Sequence, residues 1–459
     1  MAGTSEMIDL KSTPHSLVEN FNLMKGLLAT YGPDELQVLR EKAFRNFTEF
    51  GIPTTKDEEF KYLSLRALED GRFAPAYGAT IDRFELEQSV LGPIDAINVV
   101  FINGEYAPEL SSAHALPKGV FIGSLKDGFT VYEEVILEHL GKIANLTGKL
   151  GSTNDERFVY LNTAYLTDGA FVYLPKGVSL EQPIHLIYLS KADHGPLVSY
   201  PRTLIVLGEN SDAKLLESYL GMDGVYFTNA VTEVVMGESA ILEHTKFQQE
   251  KLESVHIAAT SIHQSEDSIY TNNNINFGGH IARNDVNVWL DGEHTETWLN
   301  GASVGLGHQA IDNHTRIDHA KPNCNSFEVY KAILGDHALG VFNGKIFVYE
   351  DAQKTDAKQT NKAILLSPTA TINTKPQLEI FADDVKCTHG ATIGQLREDS
   401  MFYLQSRGIP KDEARGLLVY AFAAEVLEKV TIASAREVLE NALFAKLKES
   451  QDMPEKGGE

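Results

Sequence analysis

The sequence predicts a mainly β protein, with a parallel β-helix core flanked by N-terminal and C-terminal helical regions. Three observations carry that expectation. From about Glu156 onward, short apolar runs follow one another with no helical pattern between them. Polar turn clusters then recur at gaps of about 13 to 16 residues or twice that, too short for a propeller blade and suited to one rung plus turn of a β-solenoid. After residue 396 the hydrophobic period changes from two to that of a helix. At 459 residues the chain is too long for one ordinary compact core, so it needs two or three domains or a repeat that carries much of the length. The organisation expected is an N-terminal, mostly helical domain with a β-hairpin over 1–155, the parallel β-helix over 156–396, a C-terminal helical domain over 397–450 and a disordered tail over 451–459.

In chain order, His15 to Ala29 places Leu17, Phe21, Met24 and Leu28 on one helical stripe, and Pro33-Asp34-Glu35 opens a second helix that Gly51-Ile52-Pro53 stops. The string Lys56-Asp57-Glu58-Glu59-Phe60-Lys61-Tyr62 reads on composition as a solvated helix start. Ile97 to Ile102 is a β run ending in Asn103-Gly104, the dipeptide of a type I′ turn, with Glu105-Tyr106 as the return strand. Val131 to Gly148 reads as a helix with a loop.

The core begins with four β runs, at Phe158-Val159-Tyr160-Leu161, Ala170 to Leu174, Ile184 to Leu189 and Thr203 to Leu207. Turn clusters follow at Gly237-Glu238-Ser239, Glu266-Asp267-Ser268, Gly278-Gly279, Asp291-Gly292-Glu293, Gly307-His308, Asp336-His337, Asp351-Ala352 and Asp383-Asp384. An antiparallel sandwich is the competing architecture, because the period drifts. Arg397 to Arg407 is a short helix closed by Gly408, and Pro410 starts a second with Leu418, Phe422, Val426 and Val430 on one stripe. Val438, Leu439, Ala442, Leu443 and Leu447 form a like stripe on a third. Such stripes usually face the protein's own core.

Composition excludes several roles. A net charge of −24 opposes the phosphate backbone, which excludes a nucleic-acid partner and gives a soluble surface. No apolar run reaches the twenty or so residues that span a bilayer. Met1 to Lys11 lacks a basic start and greasy core, and Glu6 and Asp9 argue against a transit peptide, so the expected location is cytoplasmic. The two cysteines, Cys324 and Cys387, form no C-x-x-C pair, so neither a zinc knuckle nor a disulfide framework is readable.

Gly340 to Ile346 resembles a phosphate loop, but three residues rather than four separate its glycines and Ile346 stands where Ser or Thr must reach magnesium, so no ATP is expected to bind this chain. His308, His314 and His319 surround Asp312 and Asp318, but gaps of six and five put them on no common face, and they read as turn and surface histidines. Asp383-Asp384 near His389 invites comparison with β-helix polysaccharide hydrolases. Adjacent strand residues point to opposite faces, however, so this remains the alternative reading.

The stretch with the most chemistry is Lys386-Cys387-Thr388-His389-Gly390-Ala391-Thr392-Ile393-Gly394-Gln395-Leu396. In an extended chain Cys387 and His389 share a face, and thiolate and imidazole both ligate iron or zinc. A small buried thiol beside a strand-end histidine would look the same. Together with Asp399 to Pro410, the stretch resembles the C-terminal signature of the SufB/SufD family, the scaffold proteins of SUF iron–sulfur cluster assembly, and its Lys-Cys-x-His-Gly-Ala-Thr form is similar to the SufD branch. The Asp-Glu-Glu-aromatic-Lys-Tyr string near residue 60 supports the same resemblance.

The resemblance implies a right-handed parallel β-helix flanked by helical regions and a non-catalytic scaffold subunit. It implies pairing with SufB through the β-helices, and binding of the ATPase SufC through the C-terminal helices, for which Arg407, Leu418 and Phe422 are the candidate contacts. A homodimer is also conceivable. His389 falls on the family's key histidine. Because one Cys and one His cannot complete a cluster, His389 and Cys387 would hold iron or a transient, nascent iron–sulfur cluster together with groups from the partner chain.

Overall fold

The computed structural model describes residues 15–452 apart from 77, 90–91, 114–115, 145–154, 194 and 223. Its centre is a β-solenoid of about eight turns built from two parallel sheets. Successive strands go alternately to one sheet and the other: Ile281–Leu290 to the first, Glu296–Gly305 to the second, Ala310–His319 to the first, Asn325–Leu334 to the second. Ile281 therefore pairs with Ala310, and Ala310 with Leu339. The 13-to-16-residue interval of the sequence is one strand with its turn, and a full rung takes two of them.

The turns explain why this sequence winds so regularly. Asn210, Ser239, Asp267, His294, Asn323 and Lys354 occupy the same position on six successive rungs, and each holds a left-handed φ between +53° and +63°. Polar residues with short side chains tolerate that conformation best, and most of the set are of that kind. The turns bond to one another up the stack, as Asn210 N–H to Glu238 O and Asp267 N–H to Glu293 O at 2.8 and 2.9 Å. Gly292 fills a tighter place, where a Cβ would lie 2.0 Å from Glu266 N.

Helices cover the outer faces. On the first sheet, Leu17, Phe21, Leu28 and Phe47 of helices His15–Leu28 and Asp34–Phe50 join a cluster with Val255, Ile257 and Ile281. On the second, helices Lys411–Leu427 and Ala433–Asp452 bring Val419, Ala423, Val426 and Leu439 against Ala302, Val304 and Ile333. The stripe holding Val426 and Val430 thus faces the protein's own core. Covering both faces is what lets parallel strands read as long apolar runs.

The hairpin at Asn103-Gly104 forms as expected, both residues having positive φ and Ile102 pairing with Glu105. Its first strand, Ile97–Ile102, also runs parallel to Ile184–Ser190, so residues before 156 extend the second sheet. Phe158 to Leu161 departs from expectation: it lies in the helix Arg157–Ala164 rather than a strand. A four-residue apolar run does not distinguish the two periods. Here Leu161 and Ala164, three apart on a helix, both reach the core under the N-terminal helices. The helix read over Val131 to Gly148 is found as Leu125–His139, and its last positions lie outside the described residues, as do 453–459 of the tail.

The string near residue 60 is only partly solvated: Glu58, Lys61 and Tyr62 are exposed, but Phe60 is buried. Glu59 and Phe60 are docked on the first sheet. Arg283 Nη1 donates to Glu59 O and to Asp312 Oδ2 at 2.6 and 2.8 Å, and its guanidinium lies 3.9 Å from the Phe60 ring centroid. His314 sits between Asp312 and Glu59 at 2.9 and 3.2 Å, and Lys375 pairs with Glu58 at 2.6 Å. A charged string becomes an anchor because the sheet offers buried opposite charges, which composition does not reveal.

Candidate functional site at the open end of the solenoid

The winding stops at residues 371–394. Lys386–Gly394 pairs along one edge with Asp356–Leu365 and has no strand neighbour on the other among the described residues. Unlike the inner strands it is exposed along almost its whole length. Both sequence-predicted ligands stand here. Cys387 pairs with Ala357 and His389 with Gln359, so both belong to the rows whose preceding members point into the solenoid interior.

Their environments differ. Cys387 is half-buried and packs with Val385 and Leu378 on a cluster that includes Ala357 and Ala382. Burial, with a smaller push from the Asp356 carboxylate, raises its thiol pKa. The thiol is therefore protonated here, and a metal would have to displace that proton to gain a thiolate. His389 is exposed and no side chain among the described residues engages its ring. An accessible imidazole is a ready ligand, while two protein donors leave most of a cluster's coordination open to another chain.

The floor under His389 is polar. Gln359, the preceding member of its row, is buried and donates Nε2 to Glu328 Oε2 at 2.8 Å. Glu328 also accepts from Thr315 at 2.5 Å, and burial pushes its carboxyl up to about 7 against those two donors. Gly344 makes room for the Gln359 amide, since a Cβ there would lie 2.1 Å from Nε2. The Gly340 to Ile346 motif therefore lies inside the strand Leu339–Val348, an extended segment that does not wrap a phosphate. Nothing in the sequence marked Glu328 or Gln359 except their place in the period.

The remaining candidates fall elsewhere. His308 is on an exposed turn, but His314 and His319 are strand residues and buried, which corrects the expectation of turn and surface positions. An odd spacing sends them to opposite faces, His314 to the Glu59 anchor and His319 inward to Ser326 Oγ at 2.9 Å. Cys324 is fully buried, its Sγ donating to Gly292 O at 3.2 Å, which is a packing role. Asp384 is ion-paired with Lys354.

The C-terminal candidates split. Arg407 is exposed and its guanidinium lies 5.3 Å from the Tyr403 ring. Leu418 and Phe422 are half-buried, and Lys331 bonds the Phe422 carbonyl at 2.8 Å and sits 4.7 Å from its ring. Exposed apolar groups of this region include Phe402 and Tyr403, on the short helix Glu398–Ser406 for which no stripe was read, and Leu417, which lies beside the stripe of the next helix.

Comparison with known proteins adds to this geometry. Residues 188–422 match the family model described as SUF system FeS cluster assembly, SufBD core domain, and residues 11–186 match that for the SufBD protein N-terminal region. The chain is 34% identical over 426 residues to an iron–sulfur cluster assembly SufBD family protein of Synechocystis sp., covering 87% of this chain and 92% of that one. It is 30% identical over 381 residues to the iron–sulfur cluster assembly protein SufD of Escherichia coli, covering 82% and 85%. With the protein ABCI7, chloroplastic, of Arabidopsis thaliana it shares 32% identity over 415 residues, covering 88% and 85%.

Proposed function

Because the chain belongs to the SufBD family of SUF-system iron–sulfur cluster assembly proteins, we propose that it is a non-catalytic scaffold subunit that pairs with SufB and binds the ATPase SufC. The single observation behind this reading is the open last rung. It offers an unpaired strand edge, an exposed imidazole and a half-buried thiol on one face, which a second chain can complete. His389 ligates iron or the nascent cluster, which is cargo rather than a resident cofactor, together with groups from SufB. Cys387 either assists or lies in the core of the interface.

Replacing His389 by Ala abolishes cluster formation on the purified complex and leaves the complex assembled. Iron and sulfide analysis reads the first and size-exclusion chromatography the second; a normal cluster yield rejects the assignment. The segment from Arg407 to Ala424 supplies the SufC contacts, with Arg407, Leu418 and Phe422 as first candidates and Leu417, Phe402 and Tyr403 as the exposed apolar groups beside them. Charged substitutions at the exposed positions release the ATPase in a pull-down, and unaffected binding removes this surface from consideration.

A further inference from the structure

A pair of histidines lies well along the chain from His389, on the turns that lead from the second sheet to the first. Ala310 pairs with Leu339, so His308 and His337, each two positions earlier, stand at the same point of successive rungs. Their rings stack, centroids 5.0 Å apart and planes 7° from parallel. Both are exposed, and neither ring has a hydrogen-bond or ion-pair partner among the described residues.

The backbone beneath them is fixed. His337 N–H donates to Gly307 O at 2.9 Å and Gly335 N–H to Gly305 O at 2.9 Å. Gly307 N–H in turn donates to Asp336 Oδ2 at 2.9 Å, and Ser367 Oγ holds Asp336 O at 2.6 Å from the next rung. The histidine Cα atoms are thus held about one strand spacing, ~4.8 Å, apart. One ion bound at about 2.0–2.1 Å needs two nitrogens roughly 3 Å apart. Tilting two exposed rings toward each other meets that need without moving the backbone. The matching position one rung earlier is Gly279, which puts no side chain beside His308.

We propose that His308 and His337 form a two-imidazole site for a divalent cation of the copper, nickel and zinc class, with water completing the coordination. Imidazole suits these ions, and the neighbouring Asp336 carboxylate adds favourable charge. The site is separate from the open end and does not depend on its role.

The test uses the metal-stripped full chain titrated with Cu²⁺ alone, read by calorimetric stoichiometry and by nitrogen hyperfine structure in the copper EPR spectrum. The wild type shows one tight ion with two nitrogen donors beyond any taken up by Cys387 and His389 at the open end. His308→Ala and His337→Ala each lose that one equivalent, the double variant loses no more, and circular dichroism is unchanged because both rings are exposed. Retention of the wild-type stoichiometry in either single variant overturns the site. So does loss of two equivalents in the double variant, which would mean two independent imidazoles.

Discussion

The anchor of the N-terminal string on the first sheet makes stability depend on pH in a direction that can be worked out. Burial and the nearby Arg283 both lower the basicity of His314, but Asp312 and Glu59 outweigh them and raise its pKa from 6.5 to about 8. Glu59 and Asp312 move the complementary way, burial raising them and the imidazolium holding them below their ordinary values. Asp285 is raised by burial despite Arg283. The folded-state pKa of His314 lies above the unfolded one, so its contribution is complete below about pH 6.5 and is lost as pH rises through about 8. A rise of that size corresponds to about 2 kcal/mol, at roughly 1.4 kcal/mol per pH unit. Urea unfolding of the wild type and His314→Gln at pH 6, 7.5 and 9 isolates this step from other titrations. The variant is less stable at pH 6, and its deficit shrinks by about 2 kcal/mol by pH 9. A deficit independent of pH refutes the idea that a protonated His314 joins Glu59 to the solenoid.

Glu328 gives the acid counterpart: its raised pKa means that stability present below the unfolded value is lost as pH rises through about 7. Glu328→Gln therefore gains over the wild type as pH goes from 5 to 8, seen as a growing difference in urea midpoints. Gly292→Ala, whose Cβ would meet Glu266 N at 2.0 Å, lowers stability by at least the ~1–3 kcal/mol typical of overpacking, measured by thermal unfolding.

How far the sequence revealed this protein depends on whether the signal was local. Evenly spaced turn clusters revealed a solenoid because each rung repeats one local demand, a polar residue with positive φ, as Ser239 and Asp267 show. The C-terminal helices were legible for the same reason, from Gly408, which has φ +89°, and from the Pro410 start. What escaped was set by contacts across the chain. Glu59 looked solvated because its partner His314 lies 255 positions on in the sequence. His314 looked like a surface residue because the helical region that buries it is equally remote. Cys387 and His389 were placed on one face by strand period alone, but only the pairing with Ala357 and Gln359 shows one half-buried and the other exposed.

The open end also shows which of its two last strands is suited to a partner. Unpaired edges invite association, and proteins usually blunt them with charge, proline or bulges. Thr371–Ile380 carries Lys375 and Pro376, and proline interrupts its run of donors. Lys386–Gly394, by contrast, has Lys386 only at its start and runs Thr388, His389, Gly390, Ala391, Thr392 with no lysine, arginine, carboxylate or proline, an edge left ready for another strand. Adjacent amides in a strand point to opposite edges, so of positions 390 and 391 one faces Asp356–Leu365 and the other faces out. Gly390→Pro and Ala391→Pro therefore act differently: one breaks the ladder and lowers thermal stability, and the other leaves stability nearly intact while abolishing the proposed pairing with SufB. If neither proline weakens pairing, the partner does not add to this edge, and the face carrying His389 must meet it through side chains alone.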